Sequence, residues 1–172
     1  AAGGQYATSK LCIVYPAITL ASVLGFTALP EAVRLSKTLP SHVLKKTNIL
    51  SLLALIPLTL IFYIVFLMSD RFLFDTQASP TAALLLAATG SIRVAYVVPS
   101  ALLGSISSSR RLMRTSILSL GSIALLTASI LTLPIENSVT LGAVSLLFAT
   151  FFRYLVALVS THRAIGEVQT RE

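Results

Sequence analysis

Two arginines inside long apolar stretches are the residues of this 172-residue chain best suited to chemistry. Arg93 lies near the middle of the stretch 80–104, and Arg153 lies in the stretch 139–160, about seven residues before its end. A charge at the centre of a bilayer costs about 2.5–3.5 kcal/mol on insertion scales, so it normally faces the bundle interior or a water-filled cavity. A guanidinium group matches phosphate through paired hydrogen bonds. The pair therefore predicts a cationic cavity for an anionic ligand such as a phospholipid or a lipid pyrophosphate.

The depth of each arginine decides how strongly it indicates a ligand. Snorkelling to the membrane surface is a structural alternative for Arg153, because its long stem can carry the charge outwards. Snorkelling is harder for Arg93, and all six acidic residues lie outside the apolar stretches, so no carboxylate of this chain is placed to pair with it. We expect Arg93 and Arg153 to be substrate-binding residues.

Other kinds of chemistry lack the residues that they require. His42 and His162 stand at predicted helix ends, without a cysteine or carboxylate at metal-ligand spacing. No nucleophile elbow, Cys-x-x-Cys pair or phosphate-binding loop occurs. The single Cys12 excludes an internal disulfide. We therefore expect no enzyme activity, no cofactor and no metal site.

The elements that position the arginines are five stretches rich in apolar residues. Each is close to the roughly 20 residues with which an α-helix crosses about 30 Å of hydrocarbon. Hydrophobic residues make up 55% of the chain and charged residues 11%, against about 25% charged in soluble domains. The stretches lack the alternation of barrel strands and exceed their length. We predict an all-α, polytopic transmembrane helical bundle, one membrane domain over residues 1–172, with spans at about 11–30, 48–68, 80–104, 115–133 and 139–160.

Basic residues are distributed unevenly among the gaps between the spans. Nine lysines and arginines lie on one side of the predicted bundle and two on the other. The positive-inside rule then places the N-terminus outside and the C-terminus in the cytoplasm, in a multi-pass protein of the cytoplasmic membrane. The net charge of +7 is thus assigned to the membrane surface, and we expect no nucleic-acid partner. The gap 31–47, which Pro30 and Pro40 are expected to break from the neighbouring helices, is expected to be an amphipathic segment on the cytoplasmic surface.

Prolines and small residues within the stretches indicate bent and closely packed helices. Pro16, Pro57 and Pro99 lie inside predicted spans, where a missing N–H and a bulky ring bend a helix. Small residues let helix backbones approach each other closely in a membrane. They recur in the last three spans as Gly90, Ser91 and Ala95, as Gly121, Ser122 and Ala128, and as Gly142, Ala143 and Ser145.

Four short elements stand at the ends of the predicted helices. They are Gly4–Lys10, Leu29–Leu35, Gly104 with Ser109–Arg111, and Leu133-Pro134 with Leu141–Val144. Their order and spacing resemble the C-terminal part of the Wzx-type polysaccharide-biosynthesis flippases, in the multidrug/oligosaccharidyl-lipid/polysaccharide exporter superfamily. The first two are similar to the family's G-x-Y-x-x-A-x-x and P-x-L-S-R-L elements. The third is similar to its small-residue and basic turn, and the fourth to its L-I-P-x-x-G-x-x-G-A-A segment.

The resemblance implies a transporter that flips a lipid-linked oligosaccharide or polysaccharide precursor by alternating access between two pseudo-symmetric lobes. This chain is then expected to be a fragment, the last five helices of the second lobe. Its partners are the lipid bilayer, an anionic lipid-linked glycan and the missing N-terminal lobe of the same protein. Two alternatives stay open: a non-transporting membrane subunit of a larger complex, and a multidrug/cation antiporter of the same superfamily. The absence of acidic residues from the predicted spans counts against the antiporter.

Overall fold

The computed structural model describes residues 2–69, 79–134 and 138–169, and within these ranges it contains only helices. In chain order they are α1 (Ala2–Thr38), α2 (Ser41–Leu53), α3 (Leu55–Ser69), α4 (Pro80–Ala95), α5 (Val97–Ile106), α6 (Ser109–Thr132) and α7 (Ser138–Gln169). The gaps that follow the predicted spans 48–68 and 115–133 fall largely outside the described residues.

Within the described residues, five segments are long and apolar enough to cross a membrane, in agreement with the predicted all-α class and number of spans. We call them spans 1 to 5: Val14–Thr38, Ser41–Met68, Pro80–Ile106, Ser109–Thr132 and Val139–Glu167. Span 2 comprises α2 and α3, and span 3 comprises α4 and α5.

Span 3 lies at the centre of the bundle. More than half of it is buried, whereas less than a third of each other span is buried. It packs against α1, α3 and α7, and small side chains such as those of Ala83, Ala87 and Ser91 are fully buried there. Ser91 also shares a hydrogen bond of 2.7 Å with the hydroxyl of Thr59 in α3. Small residues permit this close approach of helices in a membrane. The predicted packing role is confirmed in span 3, where Gly90, Ser91 and Ala95 are buried, whereas Ala128 in span 4 is exposed.

Two prolines interrupt spans 2 and 3. The breaks lie at Ala54, between α2 and α3, and at Tyr96, between α4 and α5. In each case a proline, Pro57 or Pro99, follows three residues later. Proline donates no backbone hydrogen bond, and its ring clashes with the carbonyl four residues before it. The predicted irregularities at these two prolines are confirmed, whereas α1 runs through Pro16 without a break.

The segment 31–47 differs from its prediction. The helix α1 continues through Pro30 to Thr38, and α2 begins at Ser41, so the chain turns only around Pro40. The prediction of a separate amphipathic element is therefore wrong. The first part of the segment is the end of span 1, and the second part is the beginning of span 2. An interior proline removes one backbone hydrogen bond, which membrane helices tolerate. Pro40 precedes the first turn of α2, where a missing N–H has no cost.

One end of the bundle gathers most of the basic residues. Leu44 of α2, Leu102 of α5 and Ile165 of α7 pack in one hydrophobic cluster. Arg111 of α6 forms an ion pair with Glu167 of α7, which follows Ile165 by two residues. We call this the basic end, and it carries Arg34, Lys37, Lys45, Lys46, Arg110, Arg111, Arg114 and Arg163.

Buried polar groups join span 2 to span 5. The side-chain amide of Asn48 donates to the carbonyl of Leu158 over 3.1 Å. One turn further along, the hydroxyl groups of Ser51 and Tyr154 are 2.9 Å apart. From the first contact to the second, the contact residue in α2 moves forward from 48 to 51, whereas the contact residue in α7 moves back from 158 to 154. Spans 2 and 5 are therefore antiparallel.

Candidate functional site

A cavity of about 400 Å³ opens between α1 and α6, with span 3 and α7 forming its remaining walls. Its volume falls in the range of about 300–1,000 Å³ that small-molecule sites occupy. The cavity exists because α1 packs against span 3 whereas α6 packs mainly against α7, which leaves the two outer helices apart. We call it the first cavity.

Both predicted arginines border the first cavity. Arg93 is half-buried and Arg153 is exposed. The guanidinium carbon of Arg153 lies 5.1 Å from the ring centroid of Tyr96, within the distance of about 6 Å at which a cation and an aromatic ring attract each other. The structure therefore brings together two residues that are 60 positions apart in the sequence.

The register between span 3 and α7 places the arginines at one level. The hydroxyl of Thr161 donates to the carbonyl of Pro99 over 2.8 Å, and Arg153 contacts Tyr96. Arg93 precedes Tyr96 by three residues and Pro99 by six. Since parallel helices rise equally per residue, both contacts set Arg93 level with the turn of α7 that carries Arg153.

Both arginines also lie at the midpoint of their spans. Arg93 is central in Pro80–Ile106, which has 27 residues, and Arg153 is central in Val139–Glu167, which has 29. The expectation that Arg153 lies near the end of its helix is wrong, because α7 continues to Gln169.

The positive charge of this site is not balanced by a carboxylate in the described part of the chain. There, Glu31 pairs with Arg34 over 2.6 Å, and Glu167 pairs with Arg111 at the basic end. The Nε atom of Arg93 is buried and has no hydrogen-bond partner among the described residues. The positive charges of Arg93 and Arg153 also repel each other. An unpaired buried donor costs about 1–3 kcal/mol, so an anion or water bound there would stabilise the site.

Hydroxyl groups supply hydrogen-bond acceptors to the same cavity. Each of the four donates its own proton to a backbone carbonyl of its helix, over 2.7 to 3.0 Å, so its oxygen lone pairs are available to a ligand. They belong to Ser22, Ser100, Ser122 and Thr150. The arginines thus offer donors and the hydroxyls offer acceptors. The sequence analysis did not predict these hydroxyls or Tyr96 as part of the site. A signal was present for two of these residues, because Tyr96 and Ser100 follow Arg93 by three and seven residues, which is the spacing of one helix face.

A second cavity of about 350 Å³ adjoins the first. The two share part of their walls, including Tyr96, Ser100 and Arg153. The rest of the second cavity is lined by Leu103 of α5 and by the first half of α6, towards the basic end. Arg93 borders only the first cavity, whereas Arg153 borders both.

In the part of the chain that the structure describes, no three histidine, cysteine, aspartate or glutamate side chains lie close enough to hold a metal ion. No protein-family model matches the chain, and no curated protein or solved structure is significantly similar to it. The family resemblance stays a prediction.

Proposed function

We propose that this chain is part of a membrane transporter that moves an anionic lipid-linked oligosaccharide or polysaccharide precursor across the cytoplasmic membrane by alternating access. The observation that carries the proposal is the pair Arg93 and Arg153, at mid-span on one open cavity and without a carboxylate partner in the described residues. Arginine is the side chain best matched to phosphate. A pair with a purely structural role would be expected to contact a carboxylate.

The position of the cavity suits a ligand that remains partly in the bilayer. It opens between α1 and α6, so a lipid can enter from the side while its head group reaches the arginines. The positive-inside rule assigns the basic end to the cytoplasm. Because α6 packs mainly against α7, a tilt of α6 alone would widen or narrow the cavity, which is the type of movement that alternating access requires.

Ligand binding gives the first test. The protein is reconstituted in nanodiscs, and binding of a polyprenyl diphosphate is measured for the wild type, Arg93→Gln and Arg153→Gln. Each substitution should weaken binding by roughly 10-fold or more, because it removes hydrogen bonds to a charged group. Arg93→Lys should recover part of the affinity, since an ammonium keeps the charge but loses the paired geometry. Arg110→Gln is the matched control, because Arg110 is exposed at the basic end and lines neither cavity.

The same substitutions are then tested for transport in cells whose chromosomal gene carries them. Arg93→Ala should abolish export of the lipid-linked glycan while membrane insertion and protein level stay normal. Unchanged binding and unchanged export would reduce Arg93 to a structural residue and contradict the proposal. Normal export together with loss of a larger assembly would instead favour the non-transporting subunit.

A further inference from the structure

We propose that the second cavity is a saccharide subsite, in which hydroxyl groups of α6 bind the sugar next to the anionic group of the ligand. The inference depends on the proposed function, because it assumes that Arg93 and Arg153 bind that anionic group. It adds the residues and the side of the cleft that recognise the glycan.

The two cavities, which meet at the wall that carries Arg153, are lined by different kinds of side chain. Away from the shared wall, the first cavity is mainly aliphatic, with Ile18, Leu126 and Leu146 among its residues. The second cavity lies on the other side of Arg153, towards the basic end. A ligand whose anionic group contacts both arginines would therefore have an apolar part on one side and a different chemical group on the other. This is the order of a lipid, a phosphate group and a head group.

Hydroxyl groups on α6 form most of the polar wall of the second cavity. Thr115, Ser116, Ser119 and Ser122 follow each other at helical spacing, which places them on one face of α6. Ser119 donates to the carbonyl of Thr115 over 2.8 Å, and Ser122 donates to the carbonyl of Ser119 over 2.7 Å. Across the cavity, Ser100 donates to a carbonyl of its own helix over 3.0 Å. With their protons already donated, these three serines offer acceptors to a ligand.

A row of acceptors selects a ligand that carries hydrogen-bond donors. Sugar hydroxyl groups are donors, whereas an ionised diphosphate and a hydrocarbon chain have none. A structural role for the row would bring another helix onto it, but Ser116 is exposed and Ser119 is half-buried at the open cavity. The geometry thus points to a hydroxyl-rich group, a saccharide, bound between Arg153 and the start of α6.

The test compares two ligands on the same protein. Nanodiscs of phosphatidylcholine carry the full chain, and the probes are a polyprenyl diphosphate and the same lipid bearing a single hexose. Two or three neutral hydrogen bonds correspond to roughly 10-fold tighter binding of the glycosylated probe. The double variant Ser116→Ala/Ser119→Ala, which alters only the second cavity, should reduce this preference to about 2-fold or less. Its affinity for the plain diphosphate should stay at the wild-type value.

Two further variants control for indirect effects. Ser119→Leu fills part of the second cavity and should abolish the preference by steric exclusion, with plain diphosphate binding retained. Thr127→Val/Thr132→Val removes two exposed hydroxyls of the same helix that line neither cavity, and it should keep the full preference.

Each outcome decides the inference. Selective loss of the preference in the two serine variants supports it. An equal loss for both probes, or a wild type that does not distinguish them, overturns the saccharide subsite but leaves arginine-dependent diphosphate binding in place. Failure of both probes to bind, or binding that does not respond to Arg93→Gln, overturns the proposed function and this inference together.

Discussion

At the scale of single residues, Tyr96 belongs to two structural features. Its ring lies against the guanidinium of Arg153, and it is also the residue at which α4 ends and α5 begins. Pro99 causes this break by withdrawing a backbone donor. Any movement of the helix at this break therefore changes the surface on which Arg153 lies. The proposed binding of a ligand at Arg153 would thus be linked to the shape of span 3 through one side chain.

Substitution of Tyr96 should measure how much its ring contributes to holding Arg153. Tyr96→Leu should weaken polyprenyl diphosphate binding about 2- to 5-fold, because a cation–π contact at an exposed site contributes roughly 0.5–1 kcal/mol. Tyr96→Phe should bind nearly as well as the wild type, since the ring face is kept. Tyr15→Leu removes an exposed tyrosine outside the cavity and serves as the control. If Phe and Leu were equally harmful, the phenolic hydroxyl and not the ring would hold the ligand.

The sequence predicted the two arginines of the site but not their surroundings. Arg93 and Arg153 stand out because a charge in an apolar stretch is unusual in itself. The contact between Arg153 and Tyr96 depends on the register of α7 against span 3, and that register is set by contacts such as Thr161 with Pro99. Serines such as Ser119 carry no signal of this kind, since a serine hydroxyl within a helix can bond to a carbonyl of its own backbone.

At the scale of helices, hydrogen bonds fasten span 2 to span 5. Ser51 donates its proton to the carbonyl of Asn48, so Tyr154 is the donor to Ser51. Asn48 is itself buried, and its amide reaches α7 through Leu158. These contacts hold α7 in place on the side away from the cavity, and thereby fix the height of Arg153.

A double-mutant cycle on Ser51 and Tyr154 should show that this hydrogen bond is modest. We expect Ser51→Ala and Tyr154→Phe to have a coupling energy of about 0.6 kcal/mol, the average for such bonds between membrane helices. Tyr154→Ala should cost about 3–5 kcal/mol, because Tyr154 is fully buried and its removal leaves a cavity. Reversible unfolding in bicelles measures all of these free energies. A coupling energy near zero would show that packing alone positions α7.

Helix bounds were predicted less well than helix number, for a physical reason. Polar residues after Ser160 indicated an end to the last span, but Thr161 bonds within the bundle and α7 continues to Gln169. Pro30 indicated an end to the first helix, but one lost hydrogen bond does not stop a helix of this length. Local patterns report preferences of short segments, whereas the end of a helix depends on what packs beside it.

At the scale of the whole molecule, the basic end should face the cytoplasm. In a Cys12→Ser background, single cysteines at Lys37 and Arg110 should be protected from a membrane-impermeant maleimide in intact cells. A cysteine at Asp75, in the gap on the other side, should react. The reason is the distribution of lysines and arginines, which retains basic loops on the cytoplasmic side. Labelling at Lys37 or Arg110 without permeabilisation would reverse the orientation.

The central place of span 3 also has a consequence for the order of assembly. Membrane helices are synthesised one after another, so span 3 exists before α6 and α7 are made. During that interval Arg93 lacks the wall that α7 later provides, and within the described part of the chain its neighbours are spans 1 and 2. The hydrogen bond between Thr59 and Ser91 can form at once, whereas the contact of Thr161 with Pro99 awaits the last span. Assembly of these spans is therefore expected to pass through an intermediate in which Arg93 is unshielded, and the cavity is completed only when α7 has been translated.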